Sequence, residues 1–425
     1  MNNVTHIKND LLKDGYYKIK HDSGLTIIVF PKEDYATSYA VFGTNYGSID
    51  TVIKTSDSEN PTSIPEGTAH FLEHKLFESE DLDAFERYAK TGASANAYTS
   101  FDKTCYLFSC SENFKESLEI LLDFVQNPYF TQQTVQKEQG IIGQEIKMYE
   151  DVPDWQVLFN LLKIIYHNHP VRIDIAGTVQ SISQITDKVL YDCYNAFYNL
   201  NNMVLAVSGN VTTEEVLEVA NRLLKPSKDI KIEREVALEP CEVVDNYIEQ
   251  KLSVSMPLFN LGFKESYDTP QRNLKEQICT RIILEIIAGD TSPLYKELFS
   301  QGLINTRFGS EYFAGYGFAT VIFAGESKDP NEVSKRIKAE IKKIKQQGIN
   351  EDEFQRIKKM LYGRAIMGYN DVESIANELV SCHFEGYELF DEIDVFKSIT
   401  IEDVNQRLTQ QLDEDFSALS VILPA

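Results

Sequence analysis

The sequence predicts an α+β protein of two similar domains, each a mostly antiparallel sheet packed by helices. Three observations predict it. The chain has 425 residues, 43% hydrophobic and 25% charged, enough for two domains with sizeable cores. Strand-like runs rich in Ile, Val and Thr are interleaved with stretches of helical periodicity. The order of these elements in the first half recurs loosely in the second, although the halves share little sequence identity.

In the first half, 24–30 and 38–53 read as strands. Helical segments begin at about Thr68 and cover 83–90, followed by strands at 93–99 and 105–110. Helical periodicity returns at 112–125, 131–150 and 155–166. A strand at 203–208 and a helix at 213–224 close the unit. The stretch from 225 to 248 carries Pro226, Pro240 and many charges without a clear period. The domains are therefore expected at 1–230 and 249–425, joined by a linker at 231–248. In the second half, 252–263, 312–324 and 418–423 read as strands, and 274–288, 294–299, 331–347 and 351–368 as helices.

A net charge of −24 argues against a nucleic-acid binder, which needs basic surface to neutralise phosphates, and against anionic membrane surfaces. Its simplest meaning is solubility; its sharper one is an acidic cavity that attracts basic peptides. The six cysteines are scattered and form no C-x-x-C pair, as reduced core thiols do. The N-terminus lacks an apolar signal core, and no apolar run has the length of a membrane span, so the cytoplasm is the expected location.

The chemistry is carried by His70-Phe71-Leu72-Glu73-His74. Histidines at i and i+4 lie one turn apart on one helix face, the geometry that places two imidazoles on one metal ion. Glu73 turns to the same side, where a carboxylate can take a proton from a metal-activated water. By chance the pattern would arise in roughly one such chain in a hundred. Phe71, Leu72, Leu76 and Phe77 place it on a partly buried helix, and Thr68, after Gly67, reads as its N-cap. A catalytic metal needs a third ligand. Glu138 and Glu145, seven apart on one helical face, supply candidates, one to ligate and the other to support.

H-x-x-E-H is the signature of inverzincins. The segment 67–78 around it resembles the active-site helix of the pitrilysin/insulinase metallopeptidases. Ala95-Asn96-Ala97-Tyr98-Thr99 resembles their N-A-x-T edge strand, and Gln144-Glu145-Ile146 the segment bearing their third ligand. The runs 169–178 and 202–210 match two further family segments. The resemblance covers the first half closely and the second in outline, and is nearest to the short bacterial members that pair with a non-catalytic paralogue. It implies that His70, His74 and Glu145 bind Zn2+, that Glu73 is the general base and Glu138 an auxiliary acid, and that Asn96 lies beside the substrate. It also implies that the strand around Ala95 and Ala97 takes an extended peptide by β-addition, inside a clam-like shell of two halves.

One stretch departs from the family. Self-sufficient members carry an Arg and a Tyr in the second half that contact substrate; here Phe299 and Asn305 stand in their places, with Arg307 nearby. A related subunit, a non-catalytic paralogue or a second copy, is therefore expected as partner besides the peptide substrate. His167, His169, His383 and Trp155 read as structural, and 335–345 as a solvated helix face. The function expected is that of a zinc metalloendopeptidase. The rival readings are a non-catalytic scaffold and a peptide-binding module that keeps zinc for structure.

Overall fold

The computed structural model describes residues 3–80, 82–235, 238–265 and 273–425. Its strands are β1 (Asn3–Asn9), β2 (Asp14–Lys20), β3 (Thr26–Pro31), β4 (Ser38–Thr44), β5 (Val52–Thr55), β6 (Thr62–Ser63), β7 (Ser94–Thr99), β8 (Thr104–Cys110), β9 (Met203–Gly209), β10 (Ile232–Arg234), β11 (Tyr247–Leu252), β12 (Leu258–Lys264), β13 (Gly309–Gly315), β14 (Phe318–Glu326) and β15 (Ser417–Pro424). They form three sheets, ordered β1-β2-β3-β9-β4-β8-β7, β10-β5-β6 and β11-β15-β12-β14-β13. With the helices that cover them, these make an α+β protein with two principal sheets.

The repetition seen dimly in the sequence is explicit in the topology. In β3-β9-β4-β8-β7 the first pair is parallel and the next three are antiparallel. In β11-β15-β12-β14-β13 the same sequence of senses recurs. The inner strands β4, β9 and β12 are buried along their whole length, as strands covered on both faces must be. That is why they read as continuous apolar runs.

The chain clusters into two compact units that are not continuous in sequence. Unit 1 takes Met1–Gln144, Asp174–Glu235 and Met367–Phe390; unit 2 takes Glu145–Ile173, Val236–Ile366 and Asp391–Ala425. Where the sequence suggests contiguous halves, the halves exchange a helix. The helix Val372–Glu385, late in the chain, packs on β4 and β9, and the helix Pro153–Ile165, early in the chain, packs on β12 and β15. A small residue in the strand admits each helix. A Cβ on Gly43 of β4 would lie 2.9 Å from Val380 Cγ1, and one on Gly262 of β12 would lie 2.4 Å from Ile165 Cδ1. Each sheet must bury an apolar face, and periodicity does not say which sheet an amphipathic helix will cover.

Other differences are local. The strand read at 252–263 begins only at 258, as β12; of that range Leu252 alone belongs to β11, and 253–257 is irregular. The linker read at 231–248 contains β10, which pairs with β5; residues 236 and 237 lie outside the described part. Further along that stretch, the Glu239 carboxylate accepts the backbone N–H groups of His167, Asn168 and His169 and pairs with buried Lys264.

Candidate metal and catalytic site

The helix Thr68–Leu76 buries Thr68, Ala69, Phe71, Leu72, Lys75 and Leu76, which leaves His70, Glu73 and His74 on its less buried side. Its start differs from the sequence reading. Thr68 is the first helical residue, and the N-cap is Gly67, in the left-handed region at φ 84° without a side-chain cap. A Cβ on Gly67 would meet the Ala176 carbonyl oxygen at 2.3 Å, so glycine is required both for the φ and for the close approach. The Thr68 hydroxyl donates instead to the Pro65 carbonyl at 2.6 Å.

The second element is the helix Gln132–Glu150, which is unbroken across the division between units at 144 and 145. Gln139 Nε2 donates to the carbonyls of Ile182 and Ile185 at 3.2 and 3.0 Å and fixes the helix laterally. Glu138 and Glu145 project from one face. The Glu138 carboxylate meets His74 Nδ1 at 3.0 Å. A carboxylate there retains the proton on Nδ1 and directs Nε2 outward as the ligating nitrogen. The His70 and His74 rings meet edge to face, with centroids 4.6 Å apart. Burial, reinforced by His74, pushes the His70 pKa down to about 3, so its imidazole is neutral.

His70, His74 and Glu145 each offer a ligand atom, and these atoms lie within 4.8 Å of one another. Two imidazole nitrogens and one carboxylate oxygen at that spacing fit a divalent cation of the borderline class, with coordination positions left over. Among the described residues no second group of three comes together in this way.

Glu73 is held from β7. Thr99 Oγ1 donates to Glu73 Oε2 at 2.6 Å. β7 is the outer strand of its sheet, paired on one side with β8. Alternation places Ala95, Ala97 and Thr99 on the face toward the motif helix, and Asn96 and Tyr98 on the other. The Asn96 side-chain oxygen accepts the Ala97 N–H at 2.9 Å in an exposed position. Tyr98 Oη donates to Asn377 Oδ1 on the helix Val372–Glu385 at 3.0 Å. Thr99 is the threonine of the edge-strand motif, and its bond to Glu73 is a tertiary contact. Asn377 carried no sequence signal, because its relation to Tyr98 is purely tertiary.

The remaining candidates belong to unit 2. Phe299 is half exposed and stacks on Tyr295. Asn305 Nδ2 donates to Glu326 Oε2 at 2.6 Å, and Arg307 pairs with Glu326 and Asp154, each at 2.7 Å. His169 Nδ1 accepts the Val171 N–H, and Trp155 lies between Tyr149 and Phe159. His169 Nε2 also meets the Tyr316 carbonyl at 3.0 Å, so both residues have structural roles within unit 2.

Comparison with known proteins gives the same direction. The family described as Insulinase (Peptidase family M16) matches residues 52–179, and that described as Peptidase M16 inactive domain matches 184–361. The Bacillus subtilis (strain 168) protein named "Uncharacterized zinc protease YmfH" is 38% identical over 99% of each chain. The beta subunit of the mitochondrial-processing peptidase of Bos taurus is 32% identical over 46% of this chain and 41% of its own. A putative M16-like peptidase from Alicyclobacillus acidocaldarius superposes with a TM-score of 0.92 at 33% identity, covering 100% of this chain and 99% of that one. Pitrilysin shares the fold at a TM-score of 0.77 and 17% identity, with 100% of this chain matching 47% of that one. Among the described residues no helix is long and apolar enough to cross a membrane. On the intact inverted motif, the ligand trio and relatives that align along the whole chain, this protein is a member of the M16, or insulinase, family of peptidases.

Proposed function

We propose that the chain is a zinc-dependent endopeptidase that cleaves extended peptides or precursor segments. The observation that carries the reading is the convergence of His70, His74 and Glu145 beside a carboxylate, Glu73, that is not one of the three. The donor set fits zinc, and the names of the relatives agree. When bound there, zinc supplies Lewis-acid polarisation of a water and of a peptide carbonyl. The chain's own residues do the rest. β7 takes the peptide by strand addition along its open side, where the Ala97 N–H is held meanwhile by Asn96. The alanines at 95 and 97 keep that strand low on the face toward the motif helix. Glu73 takes the proton of the attacking water and passes it to the departing amine as the C–N bond breaks. Glu138 holds His74 in one tautomer.

The same reading includes a related subunit. Phe299 and Asn305 replace the pair expected to grip substrate, Asn305 is engaged by Glu326, and the bovine relative is itself named as a subunit. A non-catalytic scaffold is less well supported, because a scaffold has no use for Glu73 or for a complete ligand trio.

The test is cleavage of a quenched-fluorescent peptide library by wild type and Glu73→Gln, alone and with a related non-catalytic subunit, with zinc content measured on each. Zinc at one per chain in both, with cleavage lost only in the variant, is the expected result. Undiminished cleavage by Glu73→Gln would sink the mechanism. Full cleavage by the chain alone would remove the partner.

A further inference from the structure

We propose that Thr99 is the positioning residue for Glu73, so that the strand that takes the peptide also aims the group that activates water. This rests on the peptidase reading. A hydroxyl has one proton to give. That of Thr99 goes to Glu73 Oε2 at 2.6 Å, a length typical of a hydroxyl on a charged carboxylate. The neighbouring Thr104 oxygen, at 3.4 Å, is the poorer acceptor, and Thr104 spends its own proton on the Tyr46 carbonyl at 2.9 Å.

The position of the donor is over-determined. Thr99 and Thr104 face one another in the register of β7 and β8, and Thr104 is fully buried. A β-branched side chain is stiff at χ1, so strand pairing sets where the hydroxyl points. The last torsion of a glutamate is broad and defines no orientation alone. The Thr99 bond narrows it, so Glu73 meets its proton in one geometry and not in a spread. Because Thr99 ends the strand that carries Ala95 and Ala97, a peptide added along β7 bears on the same segment that holds the base.

The test uses Thr99→Val, which keeps shape and loses the donor, and Thr99→Ser, which keeps the donor and loses the methyl. Thr99→Val is expected to lower kcat about ten- to a hundredfold, with KM and zinc content within about twofold of wild type, and Thr99→Ser to recover kcat to within about threefold. The bond is also read without turnover. In metal-free protein the Tm shifts of Thr99→Val, Glu73→Leu, which removes the acceptor, and the double variant should depart from additivity by about 2 °C or more. Additive shifts, a Ser variant as slow as the Val variant, or a Val variant with wild-type kcat would overturn the proposal. Non-additive shifts alongside a wild type that cleaves nothing, or a Glu73→Gln variant that still cleaves, would overturn the peptidase reading and with it the role of Thr99, while the bond itself would stand.

Discussion

Tyr98 and Asn377 are 279 residues apart in the chain and share a 3.0 Å hydrogen bond. Tyr98 belongs to the edge strand proposed to take the peptide. Asn377 belongs to the helix that the late part of the chain contributes to unit 1, where its Nδ2 also donates to the Glu373 carbonyl at 3.0 Å. An edge strand has backbone partners on one side only, so its other restraints come from side chains. On one face of β7 the restraint is Thr99 to Glu73; on the other it is Tyr98 to Asn377.

Asn377→Ala should therefore loosen β7 without touching the ligand trio. The expected cost is about 1–2 kcal/mol of stability, most of it from leaving the half-buried Tyr98 hydroxyl without this acceptor, since the Asn377 bond to the Glu373 carbonyl is exposed. Amide exchange in 94–99 should quicken more than elsewhere in unit 1, and KM should rise more than kcat falls. Unchanged exchange in that strand would show that Tyr98 is restrained by packing alone.

Glu138→Ala should weaken metal binding while leaving its stoichiometry intact. The carboxylate fixes the His74 tautomer from outside the ligand set, and loss of such a partner typically costs 10- to 100-fold in affinity. Competition with a chromogenic chelator measures it. An affinity within threefold of wild type would remove Glu138 from the site.

Gly67→Ala should disrupt the start of the motif helix. The new Cβ faces the Ala176 carbonyl oxygen at 2.3 Å, and the backbone there is left-handed. The strain and the forced separation together are expected to cost about 2–4 kcal/mol and to reduce metal affinity in the same protein. Urea unfolding and metal titration check both effects; a stable variant with intact affinity would contradict the constraint.

Acid should destabilise unit 2 in two windows. Burial lowers the His169 pKa to about 4, although the Tyr316 carbonyl and Glu239 oppose the shift and Lys264 adds to it. The unfolded chain then binds the proton first, at its ordinary 6.5. Stability from neutral His169, at most about 3 kcal/mol, is full above pH 6.5 and drains as pH falls towards 4. Burial alone would raise the Glu239 pKa, but Lys264 and three backbone N–H groups outweigh it and hold it below 4.5. Its contribution is full above pH 4.5 and is lost as pH falls through the lowered value. In metal-free protein, His169→Gln should flatten the stability profile between pH 6.5 and 4, and Glu239→Gln only below about 4.5. Profiles parallel to wild type would show that the acid sensitivity lies elsewhere.

Much of the site was legible because its chemistry is local. His70, Glu73 and His74 are placed on one face by helical periodicity alone, and so are Glu138 and Glu145. Long helices such as Gln132–Glu150, Glu351–Gly368 and Leu274–Ala288 were legible for the same reason. The hairpin of β1 and β2 is not legible in the sequence, because its polar alternating residues resemble loop. Thr68 looks like a cap in the sequence but is not one, because the left-handed backbone of Gly67 answers to Ala176, more than a hundred residues away.

The inverted motif, the two carboxylates on a second helix, the edge-strand motif and the α+β class all follow from short-range spacing and composition. That each half lends a helix to the other's sheet, that Glu138 lies on His74, that Thr99 holds Glu73, and that Asn377 braces the edge strand are properties of the packed fold. These depend on which surfaces bury one another and on where single donors find acceptors across the fold, and no periodicity along the chain encodes that.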